Sequence, residues 1–201
     1  MSDRFVYFDL GNVLVHFEHH IAVEQLARVS GRPRELIEKF IFTDDLQNRY
    51  ETGLVNDEEF VAEVNIALES ALPQAAILEA ISDIFEPNLP IMAAIDLVRS
   101  AGVPLGILSN TCAAHWNWIL AQGWPMMEVG WQTRVLSYEV HGMKPAPEIY
   151  EVCEQRAGCS GANIFFTDDR ADNIAAAAER GWTTHQFSAV DRLLDDLNNW
   201  L

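Results

Sequence analysis

Basic residues are scarce in this sequence. Thirteen Lys plus Arg stand against thirty Asp plus Glu in 201 residues, a formal charge of −17 at pH 7. Such a chain repels extended polyanions. Nucleic acid and anionic membrane surfaces are therefore excluded as partners, and any phosphate-bearing ligand must be captured by positive charge gathered at one spot. Cysteine is also sparse: Cys112, Cys153 and Cys159 are odd in number and form no CxxC pair. That excludes a disulfide framework and a zinc ribbon, and leaves them as reduced, mostly buried small residues. No run approaches the ~18 to 20 apolar residues that a membrane-spanning helix needs. The start, MSDRFVYFDL, puts acidic residues around a short apolar run instead of the basic start and longer apolar region of a signal peptide. A cytoplasmic protein with no membrane partner is expected. Internal repeats, low-complexity tracts and long linkers are missing too, so independent domains strung on a chain are not expected.

What is present is enough apolar material for a core: 49% of the residues are hydrophobic and 21% charged. The length suits one domain, or one domain carrying an insertion. Phe5 to Phe8 is a continuous β-favouring apolar run of the kind buried on both faces in parallel sheets. Val103 to Leu108 and Ile164 to Phe166 are similar, and shorter strands are predicted at Val135 to Ser137 and Thr183 to Phe187. Helical patterns separate them: Ile91 to Ser100 stopped by Gly102, a helix opened by Pro147 and closed by Gly158, Asp172 to Arg180 ended by Gly181, and an acidic C-terminal helix, Val190 to Leu201. This alternation predicts an α/β fold, a doubly wound, Rossmann-like parallel sheet. Residues 16–88 interrupt it and read as helices with no convincing strand, Asn56 and Glu59 forming a capping-box start. The expected division is a core of residues 1–15 and 89–201 with a small helical cap, 16–88, inserted between them.

Each long strand runs into polar residues: Asp9 after the first, Ser109-Asn110-Thr111 after the second, Thr167-Asp168-Asp169 after the third. Open α/β sheets place their chemistry at the carboxyl ends of strands, so three such ends suggest one shared site. Taken singly, Asp9, Ser109 and Asp168-Asp169 read equally well as turn or cap residues, and Lys144 as an ordinary solvated lysine.

Taken in order, FDLGNVL, ILSNT, MKPAPEIY and FFTDDRADN resemble the four motifs of the haloacid dehalogenase-like superfamily, over essentially the whole chain. The segment 16–88 falls where many members insert a helical cap of the C1 type, and the motifs look especially like small bacterial sugar-phosphate phosphatases of the glucose 1-phosphate kind. The resemblance implies a Mg²⁺-dependent phosphomonoester hydrolase acting on a small phosphorylated metabolite. Asp9 matches the family nucleophile, which takes the phosphoryl group as an aspartyl-phosphate. Lys144 matches the lysine that pairs with Asp9 and the phosphoryl oxygens. Ser109 through its hydroxyl and Asn110 through its backbone amide match the segment that binds a phosphoryl oxygen. Asp9, the Gly11 carbonyl and Asp168 match the Mg²⁺ ligands, with Asp169 or Asp172 holding metal-bound waters.

One departure matters. Many superfamily phosphatases carry a second Asp two residues after the nucleophile as acid and base, and here that position is Gly11. Losing such a group costs ~10²- to 10⁴-fold in rate. His16, His19 and His20 are candidate replacements, Asn12 could position a water, and a sugar 1-phosphate, with its weakly basic leaving oxygen, needs the acid least. The alternatives are a metal-independent 2-haloacid dehalogenase, which also lacks the second Asp, and a phosphate-ester-binding regulatory protein with little turnover. Candidate substrate contacts in the helical segment are scattered: His19, His20, Asp44, Asp45, Asn48, Arg49 and Tyr50. Trp116, Trp118, Trp124 and Trp131 read as core packing before subunit contact, and no oligomeric state is predicted.

Overall fold

The structure is a computed structural model and describes residues 3–43 and 45–201. Its centre is a five-stranded parallel sheet of β1 (Phe5–Phe8), β4 (Leu105–Ser109), β5 (Thr133–Leu136), β6 (Ile164–Asp168) and β7 (Thr183–Gln186), in the order β5-β4-β1-β6-β7. β1 is the middle strand and every one of its residues is buried. Its alternation feeds two cores: Val6 and Phe8 pack on one face with Ile95, Ile107 and Leu193, while Phe5 and Tyr7 pack on the other with Tyr150, Phe166 and Trp182. A strand buried on both sides has no polar position to spare, which is why it reads as an unbroken apolar run.

Helices cover both faces. α6 (Met92–Ser100) and α11 (Val190–Trp200) pack against each other over one face; α9 (Pro147–Ala157) and α10 (Ala171–Glu179) lie over the other. α9 ends at Gly158 in the left-handed region, as its sequence predicts. Trp116 is buried in the first core, with Trp118, Trp124 and Trp131 half-buried against it, so this aromatic run is core packing. The cysteines are unpaired, Cys112 and Cys153 buried and Cys159 partly so. Among the described residues no helix is long and apolar enough to cross a membrane.

Several boundaries differ from expectation by one or two residues: β6 runs past Phe166 to Asp168 and β7 stops at Gln186 instead of Phe187. The strand expected from Val103 begins at Leu105, because Val103 closes the preceding helix by donating to the Val98 carbonyl and Pro104 has no N–H to give a ladder. The strand expected to reach Ser137 ends at Leu136, and Ser137 starts the short helix α8 (Ser137–Val140).

Between β1 and β4 the chain leaves the sheet through β2 (Val15–Phe17), passes α1 (His19–Ser30), α2 (Arg34–Glu38), α3 (Leu46–Glu51), α4 (Asp57–Ala67) and α5 (Gln74–Ser82), and returns through β3 (Phe85–Pro87). The helices enclose a core of their own around Val23, Leu26, Phe60 and Ile77, joined by Cys112 and Ala114 from the sheet side. The capping box of Asn56 and Glu59 is present, each side chain bonded to the other's backbone N–H at 3.0 Å. The expectation of no strand in 16–88 is corrected: β2 and β3 pair antiparallel, His16 opposite Glu86 and Phe17 opposite Phe85. Three residues give no measurable alternation, and Pro87 disguises the second strand, so neither stood out from sequence pattern.

Candidate active site

The sheet order reverses at β1, whose neighbours β4 and β6 are reached by connections to opposite sides. Such a switch point opens a crevice beyond the carboxyl ends of the strands. Asp9 follows β1 directly, Ser109 ends β4 and Asp168 ends β6, so parallel pairing alone delivers three polar side chains to one edge. Asp9 is held at its backbone, where its N–H donates to the Thr167 carbonyl at 2.9 Å, and at its side chain, which accepts from Leu10 N–H at 2.7 Å.

Lys144 reaches between the strands. Its Nζ is 2.7 Å from Asp9 Oδ1 and 2.6 Å from Asp168 Oδ2, and donates to the Leu108 carbonyl at 3.0 Å. The lysine is 4% exposed and Asp168 fully buried. Burial by itself would pull the Lys144 amine down, but the two carboxylates and their hydrogen bonds outweigh it and the amine is raised. Asp9 is pushed up, first by burial and then by the Asp168 charge, against the opposing pull of Lys144. One amine thus leaves the two carboxylates incompletely neutralised.

Asp169 adds a third. One carboxylate oxygen each from Asp9, Asp168 and Asp169 lie within 4.8 Å of one another, a set of hard anionic donors suited to a hard divalent cation such as Mg²⁺. Asn12, in the left-handed region at φ 56°, donates from Nδ2 to Asp169 at 3.0 Å. Asn173, 1% exposed, donates from Nδ2 to both oxygens of Asp168 and keeps its buried Oδ1 without a partner. Gly11 lines the same cleft. Asp172 does not join the cluster: both its oxygens are taken by Arg170, at 3.1 and 2.7 Å, on the exposed side of the loop.

Above this floor lies an open cleft of about 610 Å³, walled by the helical segment. Ser109 and Asn110 both line it. The Asn110 side chain is engaged with the backbone of Lys144, donating to its carbonyl and accepting from its N–H, each at 2.8 Å. A larger hollow, about 890 Å³, lies at the opposite ends of the strands around Arg99, Pro104 and Cys159, and holds none of these groups.

Of the residues named for the helical segment, His19 and Asn48 line the cleft. Arg49 is bound bidentately by Glu63, Tyr50 donates to Asp57, Asp45 accepts from Asn48, and Asp44 lies outside the described residues. His16 is exposed on β2, and His20 pairs with Glu18 at the surface. Five cleft residues carried no sequence signal of their own: Phe17, Gln47, Glu51, Phe85 and His115. Asn173 did carry one, since it closes the DDRADN string in the first turn of α10.

The comparisons with known proteins agree with this architecture. A family model described as haloacid dehalogenase-like hydrolase matches residues 4–181. An (S)-2-haloacid dehalogenase from Pseudomonas putida is 29% identical over 142 residues, 61% of this chain and 61% of that protein. The mouse acyl-CoA dehydrogenase family member 10 is 26% identical over 207 residues, 98% of this chain and 19% of that protein. The match therefore spans less than two thirds of the length of either curated relative. Among solved structures, a HAD family enzyme from Bacteroides thetaiotaomicron, crystallised with magnesium and inorganic phosphate, is 25% identical at a TM-score of 0.83, covering 92% of this chain and 94% of that one.

Proposed function

The chain belongs to the haloacid dehalogenase-like hydrolases, and from that membership we propose that it is a Mg²⁺-dependent phosphomonoester hydrolase of a small phosphorylated metabolite, a sugar phosphate being the favoured class. The observation that carries this is the meeting of Asp9, Asp168 and Asp169 within 4.8 Å around the buried amine of Lys144. Three carboxylates and one lysine make a poor pocket for an anion until a cation sits among them, and a good one afterwards. The magnesium and phosphate in the Bacteroides enzyme support the same choice for this chain.

In this mechanism Asp9 attacks phosphorus through the carboxylate oxygen facing the cleft, and the ester bond to the leaving oxygen breaks. The phosphoryl group is carried on Asp9 until water releases it, so one hard displacement becomes two easier ones. Lys144 holds the Asp9 carboxylate in place and sets a point charge beside the phosphoryl oxygens, with Ser109 and Asn110 lining the same cleft. Asp9, Asp168 and Asp169 would hold Mg²⁺, which supplies charge neutralisation for the transferring group. Asp169 is thus a candidate direct ligand, and Asp172, bonded to Arg170, stands outside the carboxylate cluster. Helices α1–α5 act as the cap, closing the cleft over the leaving group.

The test is phosphate release from a panel of sugar phosphates, nucleotides and p-nitrophenyl phosphate with Mg²⁺ or Mn²⁺. Activity that disappears with EDTA and returns with Mg²⁺ is expected; no release from any ester would overturn the proposal. The Pseudomonas relative and the missing acid at Gly11 favour a second reading, attack by Asp9 on carbon in a 2-haloacid. Halide release that survives EDTA would decide for it.

A further inference from the structure

The structure explains why position 11 carries no acid. A Cβ on Gly11 would stand 2.7 Å from Cε1 of Phe17, and that ring is packed against His19 and Phe85, with centroids 4.9 and 5.8 Å away. The place two residues after the nucleophile is filled by an aromatic ring, so a proton donor for the leaving oxygen must enter the cleft from another element.

The other titratable groups lining the cleft are few. Asp9 and Asp169 belong to the carboxylate cluster, Lys144 is bonded to two carboxylates, and the Arg170 guanidinium does not give up its proton near neutral pH. His19 and His115 are lowered by burial, His115 to about 4, so both are neutral imidazoles at pH 7 and poor acids. Glu51 remains. Burial raises its carboxyl above the ordinary range, against weaker opposing effects of Gln47, Arg170 and Lys144.

We propose that Glu51, the last residue of α3, is the general acid and base of this hydrolase, delivered to the cleft by the helical segment in place of the acid that Gly11 lacks. The inference rests on the phosphatase reading above. Its support is positional. The Ser137 hydroxyl accepts from Thr111 N–H at 2.9 Å and donates to the Glu51 carbonyl at 2.6 Å, tying the end of α3 to the loop that follows β4. His141 lies 3.0 Å from the Thr52 carbonyl, and Gly53, at φ 69°, packs where any Cβ would strike the Tyr138 carbonyl at 2.3 Å. Gln47 donates to Glu51 Oε1 at 2.7 Å, which fixes the carboxyl plane. The backbone from Glu51 to Gly53 is thus held against the residues that follow β5, and the Glu51 carboxyl lines the cleft that Asp9 also lines, where a proton-transferring group has to stand.

The protons balance. As Asp9 bonds to phosphorus and the bond to the leaving oxygen breaks, the Glu51 proton passes to that oxygen and an alcohol departs. The Glu51 carboxylate then takes a proton from water as the water oxygen bonds to phosphorus and the bond to Asp9 breaks. Inorganic phosphate leaves, and both carboxyl groups return to their starting states. Only protonated Glu51 serves the first step, so kcat/KM for alkyl phosphates should fall as pH rises through the raised Glu51 value. The charged and titratable groups facing it are Lys144 and Arg170 from the sheet domain, His19 from α1, and Cys112 and His115 at the start of α7 (Ala113–Ala121). Burial shifts the two imidazoles downward, in the opposite direction to Glu51.

The experiment compares wild-type protein with Glu51→Gln and Glu51→Asp at saturating Mg²⁺. With alkyl or sugar phosphates, Glu51→Gln should lose ~10²- to 10⁴-fold in kcat together with the alkaline limb of its pH profile. With p-nitrophenyl phosphate, whose leaving group needs no proton, it should give a stoichiometric burst of nitrophenolate, stall, and leave phosphate bound to Asp9 after acid quench. Glu51→Asp, which keeps the carboxyl but shortens its reach, should recover part of the rate and the limb. Unchanged alkyl phosphate turnover in Glu51→Gln would overturn the proposal. So would a folded variant with no burst, which would make Glu51 a structural residue. Wild-type protein inert toward every ester would instead overturn the parent reading, and this one with it.

Discussion

Asn110 and Lys144 share two hydrogen bonds that run in opposite directions, from the Asn110 amide to the Lys144 carbonyl and from the Lys144 N–H back to Asn110 Oδ1. A backbone clamped on both sides fixes the root of a lysine whose amine must lie between two carboxylates. Asn110→Ala should therefore cost about 1 to 3 kcal/mol of stability, one to two lost part-buried hydrogen bonds, and lower kcat by loosening Lys144. Urea denaturation and phosphate release check the two effects; a stability loss with unchanged kcat would confine Asn110 to structure. The sequence pointed to Asn110 because it follows a strand, but only as an amide donor: a side chain's partner 34 residues away leaves no local signature. Glu51 and His115 were illegible for the same reason. Each sits in an ordinary helical pattern, and what makes it chemical is the cleft it faces. Phe17 is subtler still, since its effect is to exclude a side chain at Gly11, and only the three-dimensional contact reveals that.

At the scale of elements, the three strands that deliver Asp9, Ser109 and Asp168 were legible because a doubly buried parallel strand is an apolar run, and the polar residues gather only at its carboxyl end. The β2 and β3 ribbon was not, and neither was the junction between α3 and α8. That junction depends on Gly53, which stands in the left-handed region against a backbone carbonyl. Gly53→Ala carries about 1 to 2 kcal/mol of backbone cost before any clash is counted, and the clash is relieved only by moving the end of α3 away from α8. A lower melting temperature is expected, with slower alkyl phosphate turnover and a preserved nitrophenolate burst, because the shift displaces Glu51 and leaves Asp9 in place. Equal loss of burst and turnover would show that the damage reaches the strand ends.

At the scale of the molecule, a charge of −17 has to coexist with an anionic substrate. The sequence made this tension visible but not its resolution, because net charge says nothing about where the few cations lie. Lys144 and Arg170 border the cleft, and a divalent ion among Asp9, Asp168 and Asp169 would add the rest of the local positive charge. Two opposing fields then act on an arriving phosphate ester: long-range repulsion from the whole surface and short-range attraction within the cleft. Salt separates them by distance, since the screening length falls from about 30 Å at 0.01 M to about 8 Å at 0.15 M. That change removes most of the repulsion felt outside the protein and spares contacts of a few ångströms. At fixed saturating Mg²⁺, kcat/KM for a dianionic ester should therefore rise, on the order of 2- to 10-fold, as ionic strength increases over that range. kcat, set after capture, should stay constant. A fall in kcat/KM would mean that the cleft's positive centre already dominates at long range, and that the acidic surface plays no part in choosing small esters over extended polyanions.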